Sequence, residues 1–231
     1  MLVIVGSASA QVTVGAKLGL NYTIVSTMID PEPDEKPENG SGIGFHLCGF
    51  LEFGISDKIA IRPELLYSIR GFQEDETTSN SSTIAGITTL TETTAENKTS
   101  YSYLEIPLLL AFKATDNFSL HVGPGVGLLM GGKVSSSGDT KVTVTADGQT
   151  TTSTSAYDVE LSGSDVTEGL RGLELAGVIG AGYQADGGLG FNVRYWRGLN
   201  SINEDTEFFE TTVKSNTHML QLSVTYAFIK D

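Results

Sequence analysis

Cysteine, basic residues and long apolar runs are all scarce in this chain of 231 residues. The lone Cys48 permits no internal disulfide and no cysteine-based metal cluster. Fourteen Lys and Arg stand against 28 Asp and Glu, a formal charge of −14, so no basic patch exists to neutralise the phosphates of a nucleic acid. The longest apolar runs, such as Leu108 to Phe112, fall far short of the roughly 18 residues a membrane-spanning helix needs. A chain that spans a membrane without such a helix must close into a β-barrel, because lipid satisfies no backbone polar group.

What the chain does contain is alternation. In the last stretch His218, Leu220, Leu222, Val224, Tyr226 and Phe228 share one face, while Thr217, Gln221, Ser223, Thr225 and Ala227 share the other. Eight such stretches can be read, near residues 12–25, 42–55, 59–72, 101–114, 118–132, 170–184, 188–199 and 216–229. Short turns at 56–58, 115–117 and 185–187 join three pairs, and long segments at 25–41, 73–99, 134–169 and 201–215 join the rest. Alternating short and long connections are the pattern of a transmembrane barrel, with tight turns on one side of the membrane and large loops on the other. The fold expected is therefore all-β: an eight-stranded antiparallel up-and-down transmembrane β-barrel over residues 11–231. The mean hydropathy near zero agrees, since half of each strand is polar.

The four long segments hold 20 of the 28 acids and four of the 14 bases; their net charge is −16 and that of the remainder +2. The acidity thus belongs to solvated loops. Within them, 141–154 is rich in Thr and reads either as a hairpin turning at Asp147-Gly148 or as a disordered polar loop. At the amino end, Leu2 to Gln11 with Ala8-x-Ala10 reads as the tail of a secretory signal peptide cleaved after Ala10. Three-residue turns with Lys58, Asn117 or Gly187 last set Phe53 against Ile61, Glu52 against Arg62, Tyr183 against Leu189 and Ala181 against Phe191. Pro63, Pro107 and Pro124 fall inside strands, where a closed barrel offers no edge; bulges or projecting strand ends are expected there.

Parity assigns the faces. Leu18, Leu20, Leu47, Phe53, Leu108 and Phe191 point to lipid, with Tyr22, Tyr67, Tyr183, Tyr195 and Tyr226 as candidates for the interfacial girdles. The inward set collects Lys17, Glu52, Arg62, Glu64, Arg70, Glu105, Lys113, Glu174 and Arg194, with His46, His121 and Trp196. So narrow a barrel is filled by side chains. Its charges must therefore pair, and an internal ion network around Glu52–Arg62 is expected to plug the lumen.

Catalytic and metal chemistry find little support. Ser119 and His121 share the inward face, but residues two apart on a strand lie about 7 Å from each other. His218 lies outward near the rim with no serine or acid expected beside it. The acidic run from Asp30 to Glu35 contains prolines and no calcium-loop glycine. No catalytic residue, cofactor or metal is expected.

Three segments occur in order: Arg62 to Phe72 (RPELLYSIRGF), Tyr103 to Leu109 (YLEIPLL) and Leu120 to Gly125 (LHVGPG). They resemble the PorT-like outer-membrane β-barrel family of the Bacteroidetes over nearly the whole chain. The resemblance implies an eight-stranded barrel in the cell outer membrane with periplasmic termini, one member class serving a protein secretion system. The chain departs from the usual aromatic terminus, since Lys230-Asp231 follow Ile229. The expectation is a monomeric barrel with outer-membrane lipids around it, a structural or interaction role, and envelope or secretion-system proteins as partners. A soluble lipid-binding barrel is the rival from another class; it requires an apolar interior.

Overall fold

The computed structural model describes residues 12–30, 40–163, 166–204 and 212–230. The signal-peptide reading at residues 1–10 and nearly all of the acidic run after Asp30 lie outside them. Nine strands follow one another: β1 (Val12–Asp30), β2 (Ser41–Gly54), β3 (Ile59–Ile84), β4 (Ile87–Lys113), β5 (Phe118–Ala146), β6 (Gln149–Ser162), β7 (Leu173–Gln184), β8 (Leu189–Gly198) and β9 (Thr212–Lys230). Eight of them close a ring in the order β4-β3-β2-β1-β9-β8-β7-β5, with β4 pairing β5 to shut it. β6 stands outside the ring and, among the described residues, pairs with β5 alone. The eight-stranded antiparallel barrel holds, and the ninth strand lies in the long segment 134–169, where the hairpin alternative turning at Asp147-Gly148 is the one found.

The alternation sets the faces as expected. Along β8 every second residue is buried, from Gly190 through Asn192, Arg194 and Trp196 to Gly198, while Leu189, Phe191, Val193 and Tyr195 are exposed. Leucines and phenylalanines coat the exterior, and lysine, arginine and glutamate are buried within. This is the reverse of a soluble lipid carrier, whose interior must be apolar, so that rival falls. Leu47, at the middle of β2 and 58% exposed, should sit near the bilayer midplane. Leu47→Arg is expected to cost about 2–4 kcal/mol of folding stability in lipid vesicles, read from urea titration, and far less in a variant placed near either rim.

Three details of the pairing differ from expectation. At the 185–188 turn Tyr183 faces Phe191 and Ala181 faces Val193, two residues from the register expected. The left-handed position is Gly188 (φ +85°), not Gly187, which moves the turn's centre by one residue and leaves every side chain on its proper face. The turn at 56–58 keeps its expected register, with Phe53 opposite Ile61, and the turn at 115–117 sets Leu110 opposite Val122. Both turns form without a left-handed residue at Lys58 or Asn117.

The prolines sit neither in bulges nor beyond a neighbour. The β2–β3 ladder passes from Phe50↔Glu64 to Phe53↔Ile61, leaving Glu52 and Arg62 outside the ladder pairs beside Pro63. The β3–β4 ladder skips beside Pro107, and the β4–β5 ladder beside Pro124. Each gap lies where the missing N–H would have been needed, and the register resumes unchanged. Bulges do occur, at Val14/Gly15 and Ser102/Tyr103.

The largest departure lies above the outer rim. β3 and β4 run on without a break in register to Ile84↔Ile87, across a turn at Ala85 and Gly86 (φ +51° and +80°). β5 and β6 continue to Ala146↔Gln149 across Asp147 and Gly148 (φ +49° and +76°). Two successive positive φ angles make the primed turn that matches strand twist. β4 and β5 also pair with each other along this region, so β3, β4, β5 and β6 form one four-stranded sheet projecting from the wall. From residue 100 to residue 87 such a strand rises roughly 45 Å. Cross-strand threonine pairs lace it: Thr83 with Thr88 at 3.0 Å, Thr145 with Thr150 at 3.1 Å, Thr143 with Thr152 at 3.3 Å.

Candidate functional site

The lumen holds the chain's buried chemistry, in two ionic layers. The lower one, towards the short turns, converges on Glu64. Its carboxylate accepts Lys17 Nζ at 2.5 Å and both terminal nitrogens of Arg194 at 2.8 and 2.9 Å, with Arg62 Nε at 3.3 Å. Three strands deliver these groups, because period-two alternation places position 17 of β1, 62 and 64 of β3 and 194 of β8 on the inner surface. The Arg62 guanidinium also lies 3.9 Å from the centre of the Phe50 ring. Glu52, expected at the heart of the network, is peripheral: Arg62 is 3.7 Å from it and Lys113 3.3 Å, beside a cavity of about 70 Å³ at the barrel's lower mouth. The ladder gap at Pro63 separates Glu52 from Arg62, whereas two residues further on Glu64 faces the axis.

The upper layer is built on Arg70. It donates to Glu105 through Nε (3.2 Å) and Nη2 (2.9 Å), and its Nη1 lies 2.7 Å from Glu174. Gln221 donates to the other oxygen of Glu105 at 3.3 Å, and Trp196 Nε1 donates to Glu174 at 3.2 Å. Between the layers lies an apolar partition of Leu109, Ala176, Val178, Trp196 and Met219. Gly125 faces it from β5; a Cβ there would come within 2.6 Å of the indole, so the absent side chain makes room for Trp196. All eight residues expected to form the ion network, Lys17, Glu52, Arg62, Glu64, Arg70, Glu105, Glu174 and Arg194, are engaged in ion pairs, but in two groups rather than one.

The outer membrane protein beta-barrel domain family matches residues 7–204. The chain belongs to that family. This outer-membrane barrel is similar in fold to Ail, the attachment invasion locus protein of Yersinia pestis, at 12% identity and TM-score 0.35 over 93% of this chain and 98% of that one. Neisserial surface protein A (12%, TM-score 0.37, 92% and 97%) and OprG of Pseudomonas aeruginosa (16%, TM-score 0.34, 94% and 97%) are also similar. A comparison with curated proteins finds no match.

One histidine site in the outer-membrane barrel differs from the sequence reading. Ser119 Oγ lies 2.9 Å from His121 Nε2, so the two side chains meet although their strand positions are two residues apart. The same ring nitrogen also lies 3.3 Å from Arg62 Nη1. A catalytic serine needs a histidine oriented by a carboxylate; here the ring's charged neighbour is a cation. His218 lies beside Tyr195 Oη at 2.6 Å and the Arg197 guanidinium, neither of them a serine or an acid. His46 is held between Asn21 (2.7 Å) and Ser223 (2.8 Å), a neutral network that parity alone did not reveal. Among the described residues no group of three or more His, Cys, Asp or Glu is placed to hold a metal ion.

Proposed function

We propose that this outer-membrane protein is a closed, non-enzymatic anchor whose working part is the projecting sheet, held out from the cell surface to take a partner polypeptide as an added strand. The observation that carries this reading is β6. Over Gln149–Ser162 it pairs on one side with β5, and among the described residues nothing pairs with its other side. A fourteen-residue edge without proline presents a row of unpaired N–H and C=O groups, which is the template that strand addition uses. Tyr157, Val159 and Leu161 lie on one face of that edge and are exposed, which gives alternate side-chain pockets to a bound strand.

The lumen supports the anchoring half of the proposal. Two ionic layers with Trp196 between them fill the axis, so the barrel supplies rigidity rather than a path. A Ser119–His121 pair without a carboxylate, next to a cation, supports a non-enzymatic role. The second reading, a PorT-like component of a secretion machine, is favoured by the RPELLYSIRGF and YLEIPLL segments and places the partner at the periplasmic turns instead.

Photo-crosslinkers at Tyr157 and Val159, and separately at Asp57 and Asp116, decide between the two. Adducts in native membranes from the first pair alone are expected; adducts from the second pair alone would move the partner to the periplasm. Replacing residues 140–155 with Asn-Gly joins Asp139 to Ala156, which already face each other; it shortens the open edge to 156–162 and should weaken the adduct at Tyr157 and Val159 while the barrel still shows heat-modifiable gel migration. Planar-bilayer recordings of the purified protein are expected to show no steady channels.

A further inference from the structure

The outward-facing bases are not spread evenly over the wall. Lys17, Arg62, Arg70, Lys113 and Arg194 point inward. Lys98, Lys133, Lys141, Arg197 and Lys214 alternate with inward neighbours and so face out, and all of them lie at or above the outer rim. Two of them flank a furrow. On the outer surface of β3, β4 and β5, Gly71, Ser100 and Lys133 form one cross-strand row, and Gln73, Lys98 and Ser135 form the next. Small residues at 71, 100 and 135 leave a hollow of about 690 Å³ between the two lysine side chains, with Ile43 of β2 at its side.

Its depth is fixed by what lies below. One cross-strand row down are Ile69, Ser102 and Gly131, and the next holds Tyr67, Leu104 and Leu128. Tyr67 is exposed, and its hydroxyl donates to Ser102 at 3.2 Å, the placement of an interfacial aromatic. The furrow therefore opens at the headgroup level of the outer leaflet, directly above the acyl-chain region. Lys98 pairs with Glu96 at 2.7 Å and Lys133 with Glu160 at 2.8 Å, but all four side chains are at least 40% exposed. Such exposed pairs hold weakly and yield to a better anion.

We propose that this furrow seats the phosphorylated sugar headgroup of an outer-leaflet glycolipid. Lys98 and Lys133 hold its phosphate, Ser100, Ser135 and Gln73 meet the sugar hydroxyls, and the acyl chains descend over Ile43 and the apolar wall. Phosphate between two ammonium groups gains charge-assisted hydrogen bonds. Chains on the wall below tether the headgroup in place, which free phosphate lacks.

The test uses the full barrel refolded in detergent micelles, with lipid A as the probe, followed by native mass spectrometry and by melting temperature. Lipid A is expected to bind and raise the melting temperature. The Lys98→Gln/Lys133→Gln double variant should bind it about tenfold more weakly or worse, the loss expected when charge-assisted hydrogen bonds are removed. Lys141→Gln, higher on the same face, should bind as the parent does. Heat-modifiable migration shows that each exposed-site variant is folded. Equal binding of dephosphorylated lipid A, undiminished binding by the double variant, or an equal melting shift from inorganic phosphate alone would each overturn the proposal.

Discussion

Glu64→Ala is expected to be the most damaging single change in the barrel. Lys17, Arg62 and Arg194 all converge on this one carboxylate, whose side chain is fully buried. Removing it leaves three cations facing one another in a lumen with little room for water. Deleting one partner of a buried ion pair costs about 3–5 kcal/mol, and here three partners are orphaned together. The urea midpoint for unfolding from lipid vesicles should fall accordingly, and refolding yield with it. Glu96→Gln, which removes the exposed partner of Lys98, serves as the control and should change stability by less than about 1 kcal/mol. Replacing Glu64 and Arg194 together with methionine should recover part of the loss, because one uncompensated cation leaves along with the anion. If Glu64→Ala costs no more than the control, the lower layer is not organised around this residue.

The reason Glu64 rather than Glu52 is the hub explains how far the sequence could be read. Parity placed every member of the ion network on the inner surface, and that part was legible because a strand admits only two directions. Which charges meet depends on depth along the axis and on shear between strands, and neither is written in the alternation. Glu52 and Arg62 were paired by counting from the turn at 56–58, and the register is correct. Yet Pro63 opens the ladder at that point, and Arg62 reaches towards the axis instead. Trp196 falls on the inward parity, and it fills the lumen between Arg70 and the lower layer. Its partner signal was Gly125, a missing side chain, which becomes informative only once β5 and β8 are known to face across the same space.

The projecting sheet was the harder case. Segment 73–99 carries threonine and serine on both faces, and in 134–162 the apolar rows are short, Val142, Val144 and Ala146 on one strand and Tyr157, Val159 and Leu161 on the next, so no long apolar stripe marks either segment as strands. Asp147-Gly148 signalled one of the two turns. Ala85-Gly86 did not, because alanine seldom adopts a positive φ, and its position is held by the long β3–β4 ladder around it. These strands are stabilised by being continuous with the barrel wall, which extends an already paired ladder residue by residue, rather than by burial of their own. That dependence is what a sequence window cannot register. It also means that the sheet stands or falls with the barrel beneath it, so stability variants in the lumen should be read for their effect on the displayed edge as well.

Trp196→Ala bears on both halves of the functional proposal. The indole is 0% exposed and packs with Leu109, Val178 and Met219 against the space left by Gly125. Truncating a buried tryptophan costs about 3–5 kcal/mol through lost contacts and the cavity left behind. Glu174 also loses its indole N–H donor, so a buried carboxylate goes short of a hydrogen bond. The cavity would be walled by Leu109, Val178 and Met219 but would open onto Glu174 and Arg70, whose polar groups give entering water its hydrogen-bond partners. Two readouts should therefore move together: a lower urea midpoint, and brief ionic openings in planar bilayers that the parent lacks. Adding Gly125→Phe refills the partition from the facing strand. It is expected to silence the openings while restoring only part of the stability, because a phenyl ring offers Glu174 no donor. If Trp196→Ala stays silent and as stable as the parent, the partition is not what closes the lumen, and the anchor reading loses its closure.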